Sequence, residues 1–129
     1  MTAPAWLDAV VREFAQGLGL STFALNADGA AALRFENGVG FRLEYAAGFL
    51  TLSMSLPSPA EKAAAKMLLT AADPLRRGAF ALRTGFLANP SRALFAVRLA
   101  SQDVTLGAMD SAMAELWRAV ENYRRRLES

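Results

Sequence analysis

Glu36 and Glu44 are the nearest approach to a general acid–base pair in this 129-residue chain, and Lys62 and Lys66 the nearest approach to a lysine site. Two carboxylates divide acid and base roles only where their surroundings push their pKa values apart. Here both acids fall beside Arg34 and Arg42 on neighbouring expected strands, so they read as a solvated cross-strand charge patch. The two lysines sit one helical turn apart and read as surface residues. The sequence contains no cysteine and no histidine. Disulfides, thiol nucleophiles and thiolate metal sites are therefore excluded, and the commonest general base and metal ligand is missing. Zinc sites and Ser-His-Asp triads go with them. Gly17-Leu18-Gly19 closes a helix instead of opening one, so it is no phosphate loop. No catalytic residue, metal or cofactor is expected, and the chain does not read as an enzyme.

The cations point to binding. Net charge is only +2, but it is unevenly placed. Residues 1–57 carry three arginines against five acids, residues 58–102 seven Lys/Arg against two, and residues 103–129 four arginines against five acids. Phosphate binding would need Arg76, Arg77, Arg83, Arg92 and Arg98 to converge on one face, and Arg83 and Arg98 could project from neighbouring strands. Single-strand binders also interleave exposed aromatics with their cations. Phe80 and Phe95 fall instead on apolar positions of their strands, and Arg124 to Arg126 have a structural role at a helix C-terminus. A nucleic-acid binder is thus the weaker alternative to a protein-binding chain.

These residues must be positioned by elements whose signals are legible. Thr2 can cap a first helix over about residues 4–17, with Pro4 in its first turn. Trp6, Val10 and Phe14 share its apolar face with Leu7, Val11 and Leu18, and Gly17 and Gly19 end it. A meander follows. Phe23 and Leu25 alternate as a first strand, Asp28-Gly29 turns, and Leu33 and Phe35 alternate again before Asn37-Gly38. Pairing Leu33 with Leu43 and Phe35 with Phe41 keeps the apolar side chains on one face. Leu50, Leu52, Met54 and Leu56 mark the last meander strand, with Thr51, Ser53 and Ser55 opposite.

Ser58-Pro59-Ala60-Glu61 predicts the start of an Ala-rich middle helix that stops before Asp73-Pro74. Two further strands carry Phe80 and Leu82, then Phe95, Val97 and Leu99. Leu106, Met109, Met113, Leu116, Val120, Tyr123 and Leu127 then step by three and four without a break, which predicts a long final helix facing the core. The order is helix, meander, helix, two strands, helix. It implies an α+β fold with a mostly antiparallel, twisted sheet, in one domain over residues 1–129. The hydrophobic fraction of 53 % is partly alanine and partly apolar surface of the kind that marks an interface. No apolar run is long enough to cross a bilayer, and the Met1-to-Trp6 start lacks the pattern of a signal peptide, so a cytoplasmic location is expected.

This arrangement resembles the class I type III secretion chaperones, which hold one secreted effector or regulator in a secretion-competent state and contribute to virulence. The likeness is carried by Gly17-Leu18-Gly19-Leu20 at the first helix exit and by Phe23 to Gly29 as a first strand and turn. Leu50 to Pro57, Lys66 to Ala72, and Leu116-Trp117 with Tyr123 complete it. The resemblance implies a homodimer, with Met67, Leu68, Phe80, Leu82 and Phe95 at the twofold. A heterodimer with a second small chaperone is the variant of that expectation. It also implies an extended partner segment in surface grooves, for which Trp6, Val10, Leu20, Phe23, Leu25, Leu33 and Phe35 are the candidates. Strand addition to an open sheet edge is the natural mode for such a partner. Binding would occur without ATP. The family is usually acidic and this chain is not, so its basic middle suits either an acidic partner segment or a heterodimer with a different small chaperone. A small α+β interaction domain outside secretion is the other reading of the same pattern.

Overall fold

Among the described residues, alternating strands form one antiparallel sheet with two α-helices on a single face. The computed structural model describes residues 3–20, 22–58, 80–87 and 91–128. The elements are α1 (Ala5–Gly17), β1 (Ala30–Arg34), β2 (Gly40–Ala46), β3 (Phe49–Pro57), β4 (Leu82–Leu87), β5 (Arg92–Ala100) and α2 (Leu106–Glu128). The strands lie in the order β1-β2-β3-β5-β4, and every pair is antiparallel. The expected middle helix, with Met67 and Leu68, lies outside the described residues, as do Arg76 and Arg77.

β3 is the centre of the sheet, and its alternation decides the faces. Leu50, Leu52, Met54 and Leu56 are buried, with Thr51, Ser53 and Ser55 on the other side. Phe41 and Leu43 of β2 and Phe95, Val97 and Leu99 of β5 join the buried set. α2 covers it with Met109, Met113, Leu116, Val120 and Tyr123, the stripe expected from the sequence. Tyr123 meets Phe95 edge-on at 5.6 Å between ring centroids, and its hydroxyl shares a buried hydrogen bond with that of Ser58. α1 adds Leu7, Val11 and Phe14.

α1 differs from expectation at its start. Pro4 itself occupies the cap position, and its carbonyl accepts from the Leu7 and Asp8 amides; Thr2 lies outside the described residues. A proline without an N–H, with φ fixed near the helical value, serves there as well as one residue later. The helix exit is as expected. Gly19 has φ +75°, its amide bonds the Gln16 carbonyl, and the Leu20 amide reaches back to Ala15 at 2.8 Å. This double closure demands a left-handed residue, which glycine supplies without strain.

Two expectations for the meander are corrected. Phe23-Ala24-Leu25 forms no strand. The Asn26 side chain accepts from the amides of Asp28 and Ala30, so the chain turns before a ladder can form. The apolar alternation there reflects two side chains packed against the core, with the Phe23 ring 6.1 Å from Phe41. The register of the first hairpin is also two residues from the expected one: Leu33 pairs with Phe41 and Ala31 with Leu43. A shift of two preserves the faces, so hydrophobic pattern alone could not select between these registers. Turn chemistry does. Gly38 at φ +86° permits a three-residue Glu36-Asn37-Gly38 loop closed by the Phe35 amide on the Val39 carbonyl, and Val39 is thereby fully buried. Phe80 precedes β4 instead of lying on it, half-buried against the core.

Arg92 was not singled out for a structural role by the sequence. Its guanidinium crosses the outer face of β3, bonding the Ser55 hydroxyl at 3.0 Å and the carbonyls of Ser55 and Gly38 at 2.9 Å each. Burial and then the charge of Arg34 lower its pKa. Lysine cannot reproduce three divergent donors. Arg92→Lys is expected to cost about 1–2 kcal/mol in urea denaturation. An unchanged midpoint would show that the clamp does not hold the hairpin.

Candidate partner-binding surface

The β1 edge combines open main-chain groups with half-buried apolar side chains. The Tyr45 amide bonds the Gly29 carbonyl and the Phe35 amide bonds that of Val39. Ladder alternation therefore directs Ala31 and Leu33 toward β2, and Ala30, Ala32 and Arg34 away from it. Ala30 is closed off by Asn26, whose amide bonds the Ala30 carbonyl at 2.8 Å and whose Oδ1 accepts from the Ala30 amide. Ala32 and Arg34 remain, with N–H and C=O pointing outward and no bond to another described residue. They leave two N–H and two C=O groups open along β1.

Along this edge Leu33 and Phe35 are half-buried, as are Leu20 and Leu25 on the preceding segment. The Phe35 ring packs on Trp117 of α2 at 5.1 Å. Phe23 is buried, and it shares Phe41 with Phe14 of α1, 6.2 Å away. Phe41 is thus the point where α1, the 20–25 segment and the sheet meet. Of the seven candidates, Phe23 and Leu33 adjoin Phe41, and Leu20, Leu25 and Phe35 pack against the same core.

Val10 and Trp6 extend along α1, with Trp6 about 12 Å up the helix axis from Phe14. Val10 is half-buried, while Trp6 is 44 % exposed, the most open of the large apolar side chains described. Trp117 belongs with this group and was absent from the candidates. Its signal was weak because it lies beside the α2 core stripe rather than on it.

Of the residues expected at a dimer twofold, Phe95 is fully buried against Tyr123 and Leu82 is nearly so, while Phe80 is half-buried. Phe86 and Leu87 on β4 are more open, at 37 % and 43 %. The expected mixed-charge patch is only partly formed: Arg42 and Glu44 form an ion pair at 3.0 Å, while the two-residue register shift leaves Glu36 in the β1–β2 loop, off this face. No cluster of acids that could hold a metal occurs among the described residues. No described helix is long and apolar enough to cross a membrane.

No curated protein sequence matches the chain. Among solved structures, a chain of the ExsC–ExsE complex aligns with TM-score 0.77 and 20 % identity, covering 97 % of this chain and 96 % of that one. A chain of the HopA1–SchA chaperone–effector complex aligns with TM-score 0.73 and 17 % identity over 93 % and 94 %. The Yersinia pestis type III secretion chaperone SycH, solved with a stable fragment of YscM2, gives 0.64 and 19 % over 88 % and 97 %. At these identities the likeness is one of fold. The family model for the type III secretory system chaperone SycN matches residues 6–123, nearly the whole length, and on that match the chain belongs to this family of type III secretion chaperones.

Proposed function

We propose that this chain is a cytoplasmic type III secretion chaperone that binds the N-terminal segment of a secreted effector or regulator. It keeps that segment soluble and secretion-competent by binding alone, without ATP. The family is one of chaperones, not of enzymes. The observation that carries the mode of binding is the open β1 edge at Ala32 and Arg34, flanked by Leu33, Phe35, Leu20 and Leu25. An extended partner strand there gains main-chain hydrogen bonds, and its alternate side chains reach the apolar rim. Trp6 and Val10 continue the apolar surface along α1, and Phe23 supports it from beneath.

The test is affinity capture of the full chain from its host, with mass spectrometry of what it retains. One secreted protein, held through its N-terminal segment, is the expected result. Nucleic acid in place of a protein, or no partner, would overturn the reading.

We further propose a homodimer through Met67, Leu68, Phe80 and Leu82, with Phe95 packed behind them. Leu68→Asp would place an unpaired charge in that contact, at a cost of several kcal/mol in order of magnitude. Size-exclusion chromatography with light scattering should then report a folded monomer. A variant that stays dimeric places the twofold elsewhere, and a wild-type chain that is stable only with a second small chaperone makes the pair a heterodimer.

A further inference from the structure

The face of the sheet opposite α1 and α2 is strongly basic. Strand register places Arg34, Arg42, Arg83, Arg92 and Arg98 on it against one acid, Glu44. Three of the arginines are already engaged: Arg92 in its clamp, Arg42 with Glu44, and Arg98 over the Phe49 ring at 4.2 Å. Arg34 and Arg83 are exposed and have no ion-pair partner among the described residues. An open groove of about 340 Å³ is lined by Arg34 and Arg42, and Arg83 stands beyond it in the cross-strand row of Ala32, Arg42, Ser53 and Ala96. Its floor is made of small residues, Ala32, Gly40, Ser53 and Ser55, and it ends on Leu94 and Leu87. The groove crosses the strands, and five strands at their usual spacing span about 19 Å.

We propose that this groove, with the cross-strand row that runs on from it to Arg83, seats an acidic segment of the partner polypeptide, its carboxylates on Arg34 and Arg83 and an apolar side chain against Leu87 and Leu94. The proposal rests on the partner-binding reading above and names the chemistry of the segment bound. Charge complementarity selects the occupant. A second copy of this chain presenting the same face would set arginines on arginines, which a twofold contact cannot relieve. Nucleic acid would find the cations but no stacking platform, because the aromatic ring on this face, Phe49, is already covered by Arg98. The small-residue floor lets a backbone approach closely, and the leucines reward an apolar side chain that a phosphate backbone lacks.

The probe is a fluorescein-labelled peptide of Glu-Ala-Leu repeats about twelve residues long, enough to span the groove as a helix. Its anisotropy is titrated with the full chain at low and high salt, beside a Gln-Ala-Leu analogue and an oligo-dT of similar length. The acidic peptide is expected to bind about tenfold or more tightly than either control and to weaken with salt. Arg34→Glu with Arg83→Glu should lose at least about tenfold, and the milder Arg34→Gln with Arg83→Gln an intermediate amount. Both sites are exposed, so circular dichroism should stay unchanged. Equal binding to the reversed variant, preference for the neutral peptide, or tighter oligo-dT binding would each overturn the proposal. Retention of the captured partner reads the chaperone function separately. A partner held equally by wild type and the reversed variant, with no acidic-peptide binding, overturns the groove alone.

Discussion

Phe41→Ala is expected to lower the unfolding free energy by about 3–5 kcal/mol, the range for truncating a fully buried phenylalanine. The ring is 6.2 Å from Phe14 and 6.1 Å from Phe23, so its loss opens a cavity between α1, the 20–25 segment and β2 at once. Neither neighbour can readily collapse into the gap. Phe14 is held by a helix that also buries Leu7 and Val11, and Phe23 is held between the closure at Leu20 and the Asn26 turn. Phe41→Leu keeps most of the volume and should cost less than half as much. Urea denaturation of both variants checks this. A loss below about 1 kcal/mol for the alanine variant would mean that these three elements do not depend on a shared ring. Partner affinity should fall as well, because the apolar rim of the β1 edge stands on this cluster.

Ala32→Pro is the second large effect, and it acts on binding rather than folding. The Ala32 amide points away from β2, so proline there removes no ladder hydrogen bond, and edge strands tolerate it for that reason. Stability should change by no more than about 1 kcal/mol. An incoming strand, however, loses a donor and meets the pyrrolidine ring. Partner affinity is expected to drop about tenfold to a hundredfold, equivalent to about 1.4–2.8 kcal/mol. Leu33→Pro is the contrasting control. Its amide belongs to the β1–β2 ladder, so it should destabilise the fold itself. Titration of the captured client segment against each chain separates the outcomes. Unchanged affinity in Ala32→Pro would rule out strand addition at β1.

The α+β order, the faces of β3 and the α2 stripe were determined by the sequence itself. Each rests on a local period repeated over several residues: Leu50 to Leu56 at period two, and Leu106 to Leu127 at three and four. Such patterns depend only on which side of an element faces the core. The absence of cysteine and histidine excluded whole classes of chemistry in the same direct way. What local pattern could not carry was decided by tertiary structure. The two-residue register difference between Leu33–Leu43 and Leu33–Phe41 leaves the hydrophobic faces identical, so loop geometry at Gly38 had to choose. Phe23 and Leu25 carry a strand's alternation without a ladder: the Phe23 amide bonds the Leu20 carbonyl, and Asn26 turns the chain by accepting from the Asp28 and Ala30 amides. Arg92 looked like one more surface cation until β3 and the β1–β2 turn came within reach of its three donors. Trp117 gained its meaning only from Phe35, which lies 82 residues earlier. The basic face is the clearest case. Its arginines are spread from Arg34 to Arg98, and only the order β1-β2-β3-β5-β4 sets them on one side of a single sheet. Long-range pairing brings together residues whose spacing in the chain carries no period.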